Sequence, residues 1–262
     1  MPWEGTELYV AKVAVNSDEK VEFVEITMVS GVRGQVSASY PFWISKETFV
    51  FTNNVSGHRN PWSYSTVTGK PVPILPNPVP MAFSLPSWFL GESYCARLDK
   101  KGEDIVYSVI HDGRAHLYRV NLSSGALEKI ESPYVEMYSL RRIPRVGVIF
   151  VGERGNGPPE IVSLTLDSSN TPSFEIIKST SPPTTSLFHS GIISVAQPIT
   201  IDTPNGGVAH LNFYPPTNPK YSGGDGGEKP PCVFGVHGGP TMTSNRALNW
   251  HVQYFTSRGW AW

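Results

Sequence analysis

The sequence has few charged residues and almost no excess of either sign. Only 16% of its 262 residues are charged, against about 25% in an average domain. The 21 basic and 22 acidic residues leave a net charge of −1. This balance argues against the basic surface that nucleic-acid binding requires. No run approaches the ~18 apolar residues of a membrane span. We therefore predict no nucleic-acid partner from the charge balance and no membrane partner from the short apolar runs.

The sequence is also poor in cysteine and in metal-binding spacings. Cys95 and Cys232 are its only cysteines, too few for a disulfide framework. Both stand in apolar, strand-like segments, so we expect two buried thiols. The first ten residues, MPWEGTELYV, do not resemble a signal peptide, and we expect a cytoplasmic location. The seven histidines follow no metal-ligand spacing, so neither a metal nor a cofactor is predicted.

Turn formers and aromatic residues are abundant instead. The chain has 24 glycines, 24 prolines and 11% aromatic residues. Glycine and proline punctuate turns, whereas aromatic side chains favour strands. This composition predicts a mainly β protein with short strands, and it argues against a helical bundle, a coiled coil or a disordered chain.

A strand-and-turn unit recurs along the first 170 residues. Alternating apolar strands begin at Leu8, Trp62, Leu117 and Ile161, at intervals of about 40–55 residues. Further strand candidates and polar turns lie between these copies. The pattern is typical of the blades of a β-propeller, and we expect about four blades' worth of strands. An ordinary β-sandwich, whose strands also recur at short intervals, is the alternative.

The pattern changes after a segment rich in serine, threonine and proline. We therefore expect a partial propeller over residues 1–175, a linker over 176–195 and a second domain over 196–262. The second domain begins with a predicted hairpin, Pro198–Ile201 and Val208–Tyr214, whose turn contains Asn205-Gly206. An exposed Pro/Gly-rich loop is expected over residues 215–231.

One motif in the second domain suggests chemistry. The apolar run Cys232–Val236 reads as a strand buried on both faces of an α/β sheet. His237-Gly238-Gly239-Pro240 follows, and a helix is predicted over Asn245–Ser257. In α/β-hydrolases, such a glycine-rich loop brings a backbone N–H close to the substrate oxyanion. A glycine-rich turn without a function is the alternative.

The residues around this loop resemble the prolyl oligopeptidase family of serine peptidases. The similar segments are Pro230–Thr241, Asn249–Ala261 and, upstream, Val208–Pro216. Met1–Tyr9 and Pro86–Tyr94 are similar to the acylaminoacyl-peptidase and dipeptidyl-peptidase-like branch. The resemblance implies a β-propeller followed by an α/β-hydrolase domain. It also implies a Ser-Asp-His triad that cleaves short peptides or acyl-peptides, with residues 237–240 in the oxyanion loop.

The sequence departs from this family in its catalytic residues. No G-x-S-x-G pentapeptide is present, and the family order would place all three triad residues after Trp262. We therefore expect a fragment that contains part of the propeller and the truncated start of the hydrolase domain, inactive alone. A non-catalytic propeller module that binds a protein or a peptide is the alternative. The sequence leaves substrate preference and oligomeric state open.

Overall fold

A computed structural model describes residues 5–89, 91–181, 191–224, 226–239 and 243–262. The described residues form three four-stranded antiparallel sheets, each built from strands that follow one another in the chain. All strands of the first sheet lie within residues 38–73, and those of the other two sheets lie within residues 95–130 and 136–179. Strand order within each sheet equals chain order, which is typical of propeller blades.

The strands of these three sheets are numbered along the chain in the order of the sheets. The first sheet consists of β1 Ala38–Trp43, β2 Thr48–Asn53, β3 Asn60–Ser65 and β4 Lys70–Pro73. The second consists of β5 Cys95–Arg97, β6 Asp104–His111, β7 Arg114–Asn121 and β8 Leu127–Ile130. The third consists of β9 Glu136–Ile143, β10 Gly147–Arg154, β11 Gly157–Leu166 and β12 Pro172–Ser179.

Two antiparallel hairpins and one helix complete the described elements. The N-terminal hairpin pairs Leu8–Val15 with Val21–Ser30, and the C-terminal hairpin pairs Gln197–Asp202 with Val208–Phe213. Helix α1 spans Trp250–Thr256. By its internal contacts, the chain divides into two compact units. One comprises Met1–His111, His116–Glu131 and Tyr138–Ile149, and the other comprises Asp112–Ala115, Ser132–Met137 and Phe150–Trp262.

Strand β2 shows why the first sheet is buried on both faces. Successive side chains of a strand point to opposite faces. Phe49 and Phe51 accordingly pack with Val29 of the N-terminal hairpin. Val50, between them, belongs to a second apolar cluster with Phe83 and residues of β6. An almost continuous apolar run was therefore needed here, and strict apolar–polar alternation would have left one of these clusters incomplete.

The recurring unit in the sequence has a definite place in the sheets. The copies that begin at Trp62, Leu117 and Ile161 lie in β3, β7 and β11, the third strand of each four-stranded sheet. The copy that begins at Leu8 lies in the N-terminal hairpin. The period of the recurring unit is therefore the number of residues between equivalent strands of successive sheets, as the propeller interpretation requires.

The apolar run after the predicted linker is not the buried strand that the sequence suggested. Cys232 forms only an isolated parallel bridge with Ala261. Phe234 and Val236 are 82% and 91% exposed, and Cys232 is exposed as well. Among the described residues, only Pro231 and Val233 form backbone hydrogen bonds here, and both bonds go to Ala261. The expectation of two buried thiols is thus confirmed for Cys95 and wrong for Cys232.

Two further boundaries differ from the sequence predictions. The helix begins at Trp250 rather than near Asn245, because the side chain of Asn249 caps it. Strand β12 continues through Ser179, into the range expected for the linker. Residues 182–190 of that range lie outside the described residues.

Candidate functional site

Backbone hydrogen bonds hold the chain in place just before the candidate loop. The backbone N–H groups of Tyr214 and Trp262 each donate to the other's carbonyl oxygen, at 2.8 and 3.0 Å. On the other side of this segment, Val233 N–H donates to the Ala261 carbonyl at 2.9 Å, and Ala261 N–H donates to Pro231 at 2.8 Å. These bonds fix the chain just before the glycine-rich loop.

The loop itself is open to solvent. His237, Gly238 and Gly239 are all exposed, and Gly239 has φ +79°. The His237 ring nitrogen Nδ1 lies 3.4 Å from the Gly238 carbonyl oxygen. A left-handed φ is strained for any residue that has a Cβ, so this loop conformation requires glycine at position 239. Pro240, the fourth predicted loop residue, lies outside the described residues.

A buried glutamine of helix α1 forms hydrogen bonds with the backbone of Ser194. Gln253 is 3% exposed, and its Nε2 donates to the Ser194 carbonyl at 2.9 Å. Its Oε1 accepts from the Ser194 backbone N–H at 2.7 Å. One side chain therefore satisfies both backbone groups of a buried residue, as a neighbouring strand would. These two hydrogen bonds were not predictable from the sequence, because glutamine in a helix is usually exposed.

Arg246 anchors the segment between the loop and the helix. Its Nε donates to Asn212 Oδ1 at 3.1 Å, and its Nη2 donates to the Asp112 carbonyl at 2.5 Å. Two residues later, Leu248 N–H donates to the Arg154 carbonyl at 2.9 Å. Asn212 Nδ2 in turn donates to the Ser244 carbonyl at 3.1 Å. These contacts hold both ends of residues 244–248.

The loop can supply a backbone hydrogen-bond donor. No described residue accepts a hydrogen bond from the backbone N–H of Gly239. An N–H of this kind can bind the oxygen that becomes negatively charged during acyl transfer.

The described residues contain no group of three or more His, Cys, Asp or Glu side chains that could hold a metal ion. None of their helices is long and apolar enough to cross a membrane.

A second concave feature was not predicted from the sequence. A cavity of about 520 Å³ is lined by residues of the first two four-stranded sheets, of the segment that joins them and of strand β9. Aromatic side chains form part of its wall, and Glu92 and Arg141 also line it. These residues come from separate parts of the chain, so no local spacing pattern could have assembled them.

Comparison with solved structures gives matches over the whole chain. A puromycin hydrolase and a puromycin-hydrolyzing peptidase of Mycobacterium tuberculosis each match 100% of this chain, with 26% identity and a TM-score of 0.81. The resemblance to the prolyl oligopeptidase family is confirmed. A prolyl endopeptidase structure has the same fold over 97% of the chain, with 10% identity and a TM-score of 0.62.

The same matches confirm the predicted fold class. The three sheets match the β-propeller part of these structures. The chain spans 37–38% of the length of the solved structures it matches. No family profile matches the sequence, and no curated protein sequence matches it.

Proposed function

We propose that these residues are part of a serine-type peptidase or related hydrolase that acts on short peptides or acyl-peptides. The observation that carries the proposal is the exposed Gly239, with φ +79° and a backbone N–H free of described acceptors. Peptidases among the similar structures support the same reaction class. The two unpaired cysteines are compatible with the cytoplasmic location proposed from the sequence.

In this proposal, Gly239 stabilises the transition state. A serine attacks the substrate carbonyl, whose oxygen becomes negative as the tetrahedral intermediate forms. The Gly239 N–H donates to this oxygen beside the N–H of the residue after the nucleophile. His237 and Pro240 shape the loop and transfer no proton. The 262 residues contain no G-x-S-x-G pentapeptide, so we propose that they are inactive alone.

The first experiment replaces Gly239 by valine in the natural gene product that contains these residues. We expect kcat for a short acyl-peptide to fall about 100-fold or more, because the donor is displaced. Gly206→Val is the matched control. Gly206 has φ +76° and open space around it, so the backbone strain is similar but lies in a hairpin turn. Equal kcat in both folded variants would exclude Gly239 from the reaction.

The second experiment separates the enzyme from a non-catalytic binding module. A fluorophosphonate probe labels an activated serine nucleophile. We expect it to label the natural gene product and to leave the 262-residue chain unlabelled. Stoichiometric labelling of the 262-residue chain would contradict its proposed inactivity. A natural product that binds peptides but neither reacts with the probe nor cleaves them would favour the binding module.

A further inference from the structure

The cavity that the sequence did not predict combines partly exposed aromatic side chains with two charges that have no ionic partner among the described residues. Tyr40, Phe42 and Phe89 line it, and each is partly exposed, so their rings can contact a ligand. The ring of Tyr40 packs edge to face with the ring of Tyr94, with their centroids 5.0 Å apart. The Tyr40 hydroxyl donates to the carbonyl oxygens of Pro86 and Phe89 at 2.7 and 3.1 Å, which holds Tyr40 beside Phe89. A cavity of about 520 Å³ falls within the usual range of small-ligand sites, which are also mostly apolar with a few polar groups.

The two charged residues are held on neighbouring stretches of backbone. Leu140 N–H donates to the Ser93 carbonyl at 2.9 Å. Beside this bond, Ser139 Oγ donates to Glu92 Oε2 at 2.7 Å, and Arg141 Nη2 donates to the Gly91 carbonyl at 3.3 Å. The Glu92 carboxylate and the Arg141 guanidinium therefore belong to two segments that hydrogen bonds hold side by side.

Neither charge is neutralised by a described residue. Glu92 accepts from the neutral Ser139 hydroxyl, and Arg141 donates to the neutral carbonyls of Leu140 and Gly91. No ion pair among the described residues includes either side chain. A guanidinium has five N–H donors and a carboxylate about four acceptor positions, so both retain capacity for a ligand.

We propose that this cavity binds a small zwitterion with an aromatic side chain, such as a free aromatic amino acid or a short aromatic peptide with both ends free. The aromatic side chain lies against the partly exposed rings of Tyr40, Phe42 and Phe89. The α-ammonium group binds Glu92, and the α-carboxylate binds Arg141. The proposal does not depend on the peptidase function, because every residue in it belongs to the cavity.

The ligands themselves provide the first test, by isothermal titration calorimetry on the natural gene product. L-phenylalanine and L-phenylalanyl-L-phenylalanine distinguish a free amino acid from a peptide. N-acetyl-L-phenylalanine lacks the ammonium charge, and L-phenylalaninamide lacks the carboxylate. We expect saturable binding of at least one zwitterion, and about tenfold or more weaker binding of both blocked compounds. Absence of saturable zwitterion binding, or equal affinity for the blocked compounds, would overturn the proposal.

Variants then assign each charge to its partner. Arg141→Gln should abolish the preference for L-phenylalanine over its amide, whereas Glu92→Gln should abolish the preference over the N-acetyl compound. Arg141→Lys should retain part of the first preference. Arg145→Gln and Glu47→Gln are matched controls, because both residues are exposed and neither lines the cavity. If the controls weaken binding as much as the cavity variants, the assignment is wrong. Circular dichroism melts check that each variant is folded.

Discussion

At the scale of single residues, two buried tyrosines have opposite hydrogen-bonding environments. The hydroxyl of Tyr107 is buried and has no partner among the described residues. Burial raises the pKa of Tyr107 well above its usual value. The hydroxyl of Tyr134 donates to Glu160 Oε2 at 2.9 Å and accepts from Arg154 Nη2 at 3.1 Å. The same side-chain group is therefore an energetic cost at one position and part of a network at the other.

Replacing each tyrosine by phenylalanine should change stability in opposite directions. Tyr107→Phe removes an unsatisfied hydroxyl and should leave the free energy of unfolding unchanged or raise it by about 1 kcal/mol. Tyr134→Phe removes the hydrogen bonds of the hydroxyl to Glu160 and Arg154, which keep only their mutual ion pair, and should lower the free energy of unfolding by about 1–3 kcal/mol. Urea denaturation of both variants measures the difference. A larger loss for Tyr107→Phe would show that its hydroxyl has a partner in solution.

Glu136 makes stability depend on pH. Burial raises its pKa to about 7, and repulsion by Glu153 adds to the rise against the opposing Arg114 and Arg246. The folded state therefore binds the proton more tightly than the unfolded state, whose glutamate has a pKa of about 4.3. Its contribution to stability is fully present below about pH 4.3 and is lost as pH rises to about 7.

Glu136→Gln should remove this loss. The variant should gain stability relative to the original chain as pH rises from 5 to 8, by at most about 3 kcal/mol. Urea denaturation at both pH values measures this gain. Glu175→Gln, on exposed strand β12, is the control and should give the same difference at both values. A Glu136→Gln effect independent of pH would contradict the raised pKa.

At the scale of elements, α1 depends on the contacts of one side chain more than on its length. It has seven residues, and an isolated helix this short is unstable in water. Gln253→Ala removes both hydrogen bonds to Ser194 and leaves two buried backbone groups unpaired. We expect the free energy of unfolding to fall by about 2 kcal/mol or more.

The matched control for this prediction is Tyr254→Ala on the same helix. Tyr254 is 55% exposed and stacks with Arg258, so its loss should cost about 1 kcal/mol or less. Hydrogen exchange and urea denaturation compare the two variants. Equal losses would mean that helix propensity, rather than the two hydrogen bonds between Gln253 and Ser194, determines the stability of α1.

The sequence predicted elements whose evidence is local and missed those that depend on distant partners. The strands around Phe49 and Leu117 were recognisable, because their apolar patterns and bounding turns lie within a few residues. The segment Cys232–Val236 has an equally apolar pattern, yet only its first residues have a backbone partner. The cavity was equally unpredictable, since Glu92 and Arg141 meet only through the pairing of distant segments. The positive φ of Gly239, by contrast, agrees with its residue type.

At the scale of the whole molecule, the N-terminal hairpin presents a group of exposed apolar side chains. Val13, Phe23 and Ile26 are each more than 60% exposed. Exposed apolar strands promote association between chains, because pairing two such surfaces removes both from water. We therefore expect the 262-residue chain to self-associate in solution.

Substitution of this surface should reduce the association. In sedimentation velocity experiments, Phe23→Thr combined with Ile26→Thr should shift the chain toward monomer. Val67→Thr is the control, since Val67 is 71% exposed but lies in a turn of the first sheet. A monodisperse monomer of the original chain would contradict the prediction, as would an equal effect of the control.

The chain order of the strands also has a consequence for synthesis. Each four-stranded sheet is complete within one continuous stretch, such as Ala38–Pro73, and takes no strand from elsewhere. A ribosome makes protein at about 5–20 residues per second, and N-terminal parts fold first. Each sheet can thus pair its backbone seconds after its last strand emerges, before the next sheet has been translated. Nascent chains would then expose one unfinished sheet at a time.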